Sequence, residues 1–295
     1  MKALLLICAF LFLSHADHVV FIHNVGTKSH LILMKPLMEE LLNRKHKVTS
    51  IIYGSVTLTH ENYTEIVISS DMDKFYSDLS KQVMQKGGGN ALNPSMWLWA
   101  YNMYSERMKD MASEQFKSDK VKNMIKLKQK VDAVVIVFPW NAVFAELFNC
   151  PIIAFSPNVP LTVFMKGSTQ RDNPSIKPFP AVPFIEPMNF RNRLLNHFMI
   201  QIATAFIEWQ TNGIFGYQQE YLRKELGLTV SHPDVILRER SSITIACSHP
   251  LTQGAWQNLP NVIEVRRRNP QLDAVIEISE FPNPSYTLHR LEGST

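Results

Sequence analysis

Cysteine is scarce in this 295-residue sequence: three residues, of which Cys8 lies in the leading apolar segment. The remaining two, Cys150 and Cys247, are too few for a disulfide framework, and each sits at the edge of an apolar run. They read as buried thiols rather than a bridge. No Cys-x-x-Cys pair or His/Cys cluster occurs, so no metal is expected. Glycine is sparse at 11 residues, and neither GxGxxG nor GxxxxGK[ST] is present. That absence excludes a nicotinamide-binding Rossmann oxidoreductase. It also makes Gly87-Gly88-Gly89, which no strand precedes, a flexible connection rather than a phosphate cradle. An excess of charge of one sign is nearly lacking as well, with 30 Lys and Arg against 26 Asp and Glu. A formal +4 is too small to argue for nucleic acid, and the lysines at 117, 120, 122, 126, 128 and 130 read as the solvated face of a helix.

A long hydrophobic run occurs once, at the amino end. Lys2 precedes the apolar stretch Ala3–Leu13, and Ser14-His15-Ala16 offers small residues for cleavage, so Met1–Ala16 reads as a secretory signal. No later run approaches 20 apolar residues, which predicts no spanning helix. The expected location is the endoplasmic reticulum lumen or the outside of the cell. Asn62-Tyr63-Thr64 is the sole glycosylation sequon, because proline spoils Asn93, Asn173 and Asn283.

What is present is organised around residues 18–49. His18–Val25 is apolar and β-branched with little internal alternation, as in a strand buried on both faces. Gly26-Thr27 breaks it, Ser29 is a plausible N-cap, and Leu31, Met34, Leu37, Met38, Leu41 and Leu42 form one stripe of a helix. Pro36 either starts that helix or kinks it. A second strand begins at Val48. Asp132–Phe138, Ala142–Asn149 and Pro151–Ser156 repeat the strand–helix–strand pattern. Two β-α-β units predict an α/β fold: a doubly wound parallel sheet of about six or seven strands. Further strands are expected at Tyr63–Ser69, Ser241–Cys247 and Asn261–Val265, and helices at Asp71–Lys86, Pro94–Lys130 and Asn189–Leu226. Residues 158–187 read as loop. In the last helix a broad apolar stripe including Phe190, Phe198, Ile202 and Trp209 fits either a membrane surface or packing on the sheet.

His30 stands just past the carboxyl end of the first strand, where open α/β sheets place ligands. The helix dipole there disfavours imidazolium, so the side chain tends to be neutral and basic. On position alone it is either that or a surface-loop histidine.

Ser29-His30, Pro36-Leu37, Leu41-Leu42, Arg44 and His46-Lys47-Val48-Thr49 resemble the start of a UDP-glycosyltransferase. Further matches follow in family order: Ala145–Asn149, Ser156-Pro157, Asn173–Ser175, Met188–Phe190 and Leu259–Val265. The resemblance implies the Rossmann-like N-terminal, acceptor-binding domain of a GT-B glycosyltransferase over residues 17–265. It implies that His30 is the general base toward an acceptor hydroxyl. The family's acid, which orients that base, falls at Val137, and no Asp or Glu stands between Ala133 and Phe144. Asp132 lies five strand residues away, ~16 Å, and Glu146 sits on the next helix. Loss of a triad carboxylate elsewhere costs about 10⁴ in rate. A base without its partner is therefore expected.

In a family of lipophilic acceptors, Trp97, Met103 and Tyr104 either line the pocket or are ordinary core. The resemblance ends near Val265. Arg266-Arg267-Arg268 and Asn269–Thr295 match nothing in the family, so residues 266–295 are expected to be a divergent tail, and the donor domain and anchor are expected to be missing. This chain is then expected to hold no cofactor; UDP-sugar is the donor substrate of complete relatives. Two functions follow. One is a truncated hexosyltransferase, inactive alone, and the other a non-catalytic module that binds lipophilic molecules or pairs with full-length relatives.

Overall fold

A computed structural model describes residues 17–23, 28–68, 72–85, 94–157, 173–179, 187–247 and 261–265. In chain order the elements begin with β1 (His18–His23), α1 (Lys28–Asn43), β2 (Lys47–Ile52) and β3 (Tyr63–Val67). Next come α2 (Met72–Gln85), α3 (Pro94–Lys117), α4 (Asp119–Lys126) and β4 (Ala133–Ile136). A 3-10 turn, Pro139–Ala142, leads to α5 (Val143–Phe148) and β5 (Ile152–Ser156). The long α6 (Phe190–Tyr221) runs into a π turn, Leu222–Leu226, followed by α7 (Pro233–Arg240), β6 (Ser241–Ala246) and β7 (Val262–Glu264).

The seven strands form one sheet in the order β3-β2-β1-β4-β5-β6-β7, and every neighbouring pair is parallel. This is the doubly wound α/β fold, with both β-α-β units in place. The strand order reverses between β1 and β4, and such a reversal opens a crevice beyond the strands' carboxyl ends. Alternation along the strands explains the layers. Val19, Phe21, Val48, Ile52, Val135 and Phe155 pack with Leu31, Met34, Met38 and Leu42 of α1 on one face. Val20, Ile22, Ile51, Val134, Ile136 and Ile152 pack on the other face with Phe116, Val121, Ile125, Phe144 and Leu237. Both faces are buried, which is why the strands lack alternation in sequence.

Local details differ from expectation where tertiary packing overrides local signals. Ser29 lies inside α1, which begins at Lys28, so it is not the N-cap. Pro36 does not start the helix either: α1 runs through it, anchored on both sides by Leu31, Met34, Met38 and Leu42. The helix expected over 94–130 is two, divided at Ser118, whose extended backbone (φ −61°, ψ 124°) begins α4. Helix α7 went unread in the sequence. Pro233 occupies its first turn, and His232 Nδ1 accepts from the Asp234 amide at 3.3 Å. The signal at 1–16, the triple glycine, most of the 158–187 loop and the 266–295 tail lie outside the described residues.

Candidate active site

Three residues lie near the reversal of strand order, at the carboxyl ends of β1 and β4 and the start of α1. His23 closes β1, Val137 follows β4, and His30 lies in the first turn of α1. Ile22 pairs with Ile136, and one register step further sets His23 beside Val137. Phe21 and Val135, two residues earlier, belong to the α1 face, so alternation places His23 and Val137 on that face too.

His30 is half-buried, and burial lowers its pKa from the ordinary histidine value. Its Nδ1 is buried without a hydrogen-bond partner among the described residues. The His23 ring lies nearby, with ring centroids 5.6 Å apart and planes tilted by 52°. His23 is 1% exposed, and neither of its ring nitrogens has a partner among the described residues. Desolvation, with a smaller contribution from the charge of His30, pulls its pKa down to about 3. Both imidazoles are therefore neutral at pH 7. Phe138 stacks on His23 at 6.4 Å and on Trp140 at 4.6 Å, giving the pair an aromatic wall.

Val137 is 7% exposed and belongs to one apolar cluster with Leu31 and Phe155. The two nearest carboxylates in sequence are held elsewhere. Asp132 lies before β4, where its Oδ2 accepts from the His18 amide at 2.8 Å and its Oδ1 faces Lys130 Nζ at 3.1 Å. Glu146 accepts from the amide and hydroxyl of Ser231 at 2.8 and 3.1 Å. Both line a groove with Cys150 and Val230, which lies at the amino end of β4. Among the described residues, burial is what lowers the pKa of His30.

Of the remaining sequence candidates, Met103 is half-buried on α3. Trp97 and Tyr104 belong to the same helix, but their side chains lie outside the described residues. Asn62 is half-buried just before β3, and Thr64 of its sequon is exposed. Cys150 and Cys247 are free thiols, raised by burial to about 12 and about 11. Among the described residues no group of three or more His, Cys, Asp or Glu could hold a metal ion. None of their helices is long and apolar enough to cross a membrane. The residue that sequence reasoning missed is His23. Its signal was a polar side chain directly after the apolar run Val19–Ile22, at the carboxyl end of β1.

Comparison with known proteins decides the family. The profile described as "UDP-glucoronosyl and UDP-glucosyl transferase" matches residues 19–226, a span that contains His23, His30 and Val137. The chain belongs to the UDP-glycosyltransferase family. A UDP-glycosyltransferase relative, UGT4 of Dactylopius coccus, is 27% identical over 261 residues. That alignment covers 85% of this chain and 49% of the relative, so the chain spans about half the relative's length. Among solved structures, a UDP-glucose: anthocyanidin 3-O-glucosyltransferase in complex with UDP aligns over 88% of this chain and 55% of its own. At 13% identity and a TM-score of 0.38, that alignment places no residue of this UDP-glycosyltransferase site.

Proposed function

We propose that residues 17–265 are the acceptor-binding half of a UDP-glycosyltransferase and that His30 is its general base. In the reaction the acceptor oxygen bonds to the anomeric carbon as the bond from that carbon to UDP breaks. UDP leaves with the bonding electrons, and the acceptor proton passes to His30. The observation that carries this reading is the position of His30: half-buried, kept neutral by burial, and beside the β1/β4 reversal. The donor, a UDP-sugar, is a second substrate rather than a cofactor, and in this proposal a separate donor domain holds it. On this reading the acceptors are small lipophilic alcohols, with the half-buried Phe138 ring beside His23 as their apolar contact.

On this reading the 17–265 domain binds acceptor but transfers no sugar by itself, because positioning a donor against an acceptor supplies about 7–11 kcal/mol of the barrier. Calorimetry on that domain should show heat with hydroxylated lipophiles and none with UDP. UDP binding there would remove the division of labour. Val137 supports a second reading, a non-catalytic module for lipophilic molecules or full-length relatives, since its buried apolar site offers His30 no carboxylate. Turnover in the presence of a donor domain separates the two.

The location reading is the secretory lumen or cell exterior, with glycan on Asn62. Glycosidase treatment that leaves electrophoretic mobility unchanged would contradict it. The same reading gives α6 a membrane-surface role. Phe190, Leu194, Phe198 and Ile202, spaced by four, are all exposed, with Arg191 and Arg193 beside them.

A further inference from the structure

Three buried ring nitrogens on two neighbouring histidines lack partners among the described residues: Nδ1 and Nε2 of His23, and Nδ1 of His30. Leaving such groups unpaired is costly, and buried polar atoms without partners cluster where chemistry or an ordered water needs them. The rings are 5.6 Å apart, centroid to centroid. A rotation of the His30 ring about its Cβ–Cγ bond, or one bridging water, closes a contact of that size. The register adds the second observation: β1 and β4 pair up to Ile22 and Ile136, so His23 and Val137 are the next residue of each chain segment beyond that pair.

We propose that His23 is the positioning residue of His30: a neutral imidazole that accepts the Nδ1–H of His30, directly or through one water, from the strand next to the missing carboxylate. The role follows from hydrogen-bond chemistry. A base histidine needs its second nitrogen protonated and held, so that the other presents a lone pair to the substrate. A neutral His23 has one acceptor nitrogen to offer, and burial ensures that it is not itself an imidazolium. The Phe138–Trp140 stack fixes the plane of the His23 ring, so the acceptor is preorganised. A neutral acceptor stabilises the imidazolium formed during transfer less than a carboxylate would. His23 therefore orients His30 well and supports its charge weakly.

The proposal rests on His30 being the base, but its test does not. The full chain, labelled with nitrogen-15 in its histidines, reports the tautomer of His30 by NMR without donor or acceptor. The expected result is a single Nδ1–H tautomer in the unmodified protein. His23→Phe keeps the ring volume but removes the acceptor, and should convert this to a mixture of tautomers. His23→Asn retains an acceptor and should restore the single form. An Nε2–H or mixed tautomer in the unmodified chain overturns the proposal, and so does an unchanged single tautomer in His23→Phe. Should His23→Phe not fold, the unmodified chain and His23→Asn decide it: loss of the single tautomer in either overturns the proposal. If His30 proved dispensable for transfer while its tautomer followed His23, the reading of the base would fail and the pairing would stand.

Discussion

Val137 and Leu31 lie in the same buried cluster, so the position where the family resemblance calls for an acid is dry packing next to the residue that follows His30. A carboxylate introduced there enters an apolar layer and gains at most one neutral histidine pair as company. Val137→Asp should destabilise the domain by about 3 kcal/mol at neutral pH. Urea unfolding measures this. A double-mutant cycle with His30→Ala should also reveal favourable coupling between the two positions. No destabilisation and no coupling would mean that residue 137 faces solvent and is not beside the base.

Titration of His23 should be visible in stability. Its folded pKa, about 3, lies below the unfolded value of about 6.5, so the unfolded chain binds the extra proton first as pH falls. Stability is then fully present above pH 6.5 and declines from there toward pH 3. The loss from this group at pH 5 is about 2 kcal/mol relative to pH 8. His18 and His30, also lowered, act in the same sense. His23→Phe should flatten part of the slope between pH 6.5 and 4, and an unchanged slope would place His23 in contact with water.

Much of the fold was legible in the sequence. Val19–Ile22 and Ile152–Phe155 are buried from both sides, so the residues themselves carry the sheet. For Pro36 the residues left two readings open, and the burial stripe on both flanks decides for a helix that continues through it. The site was half legible. The place of His30 after β1 was readable in the residues, whereas position 137 was singled out only by the family resemblance counted along β4. His23 did not, since only the register between β1 and β4 brings it beside Val137 and only tertiary packing strips water from it.

Asn196 is fully buried and ties residues 173–179 to α6. Its Nδ2 donates to the carbonyls of Pro174 and Lys177 at 2.8 and 2.7 Å, and its Oδ1 accepts from the Phe179 amide at 2.7 Å. Asn196→Ala should cost about 2–3 kcal/mol, given roughly 1 kcal/mol per bond. Hydrogen exchange should show the Phe179 amide losing protection while the sheet keeps its own. Uniform loss across the sheet would instead make this clamp part of the global core.

The membrane reading of α6 predicts that the 17–265 domain sediments with anionic vesicles. Replacing Phe198 and Ile202 together with serine should abolish that binding. Both are well exposed, at 55% and 63%, so stability should change by less than about 1 kcal/mol in total. Undiminished sedimentation would remove the membrane from the account.

The most direct test of the base assignment joins residues 17–265 to the donor domain of an active relative and follows sugar transfer to a hydroxylated lipophile. His30→Ala should lower kcat by about 10²–10⁴, with Val137→Asp raising the rate of the parent fusion through His30 alone. Equal turnover with and without His30 would contradict the account.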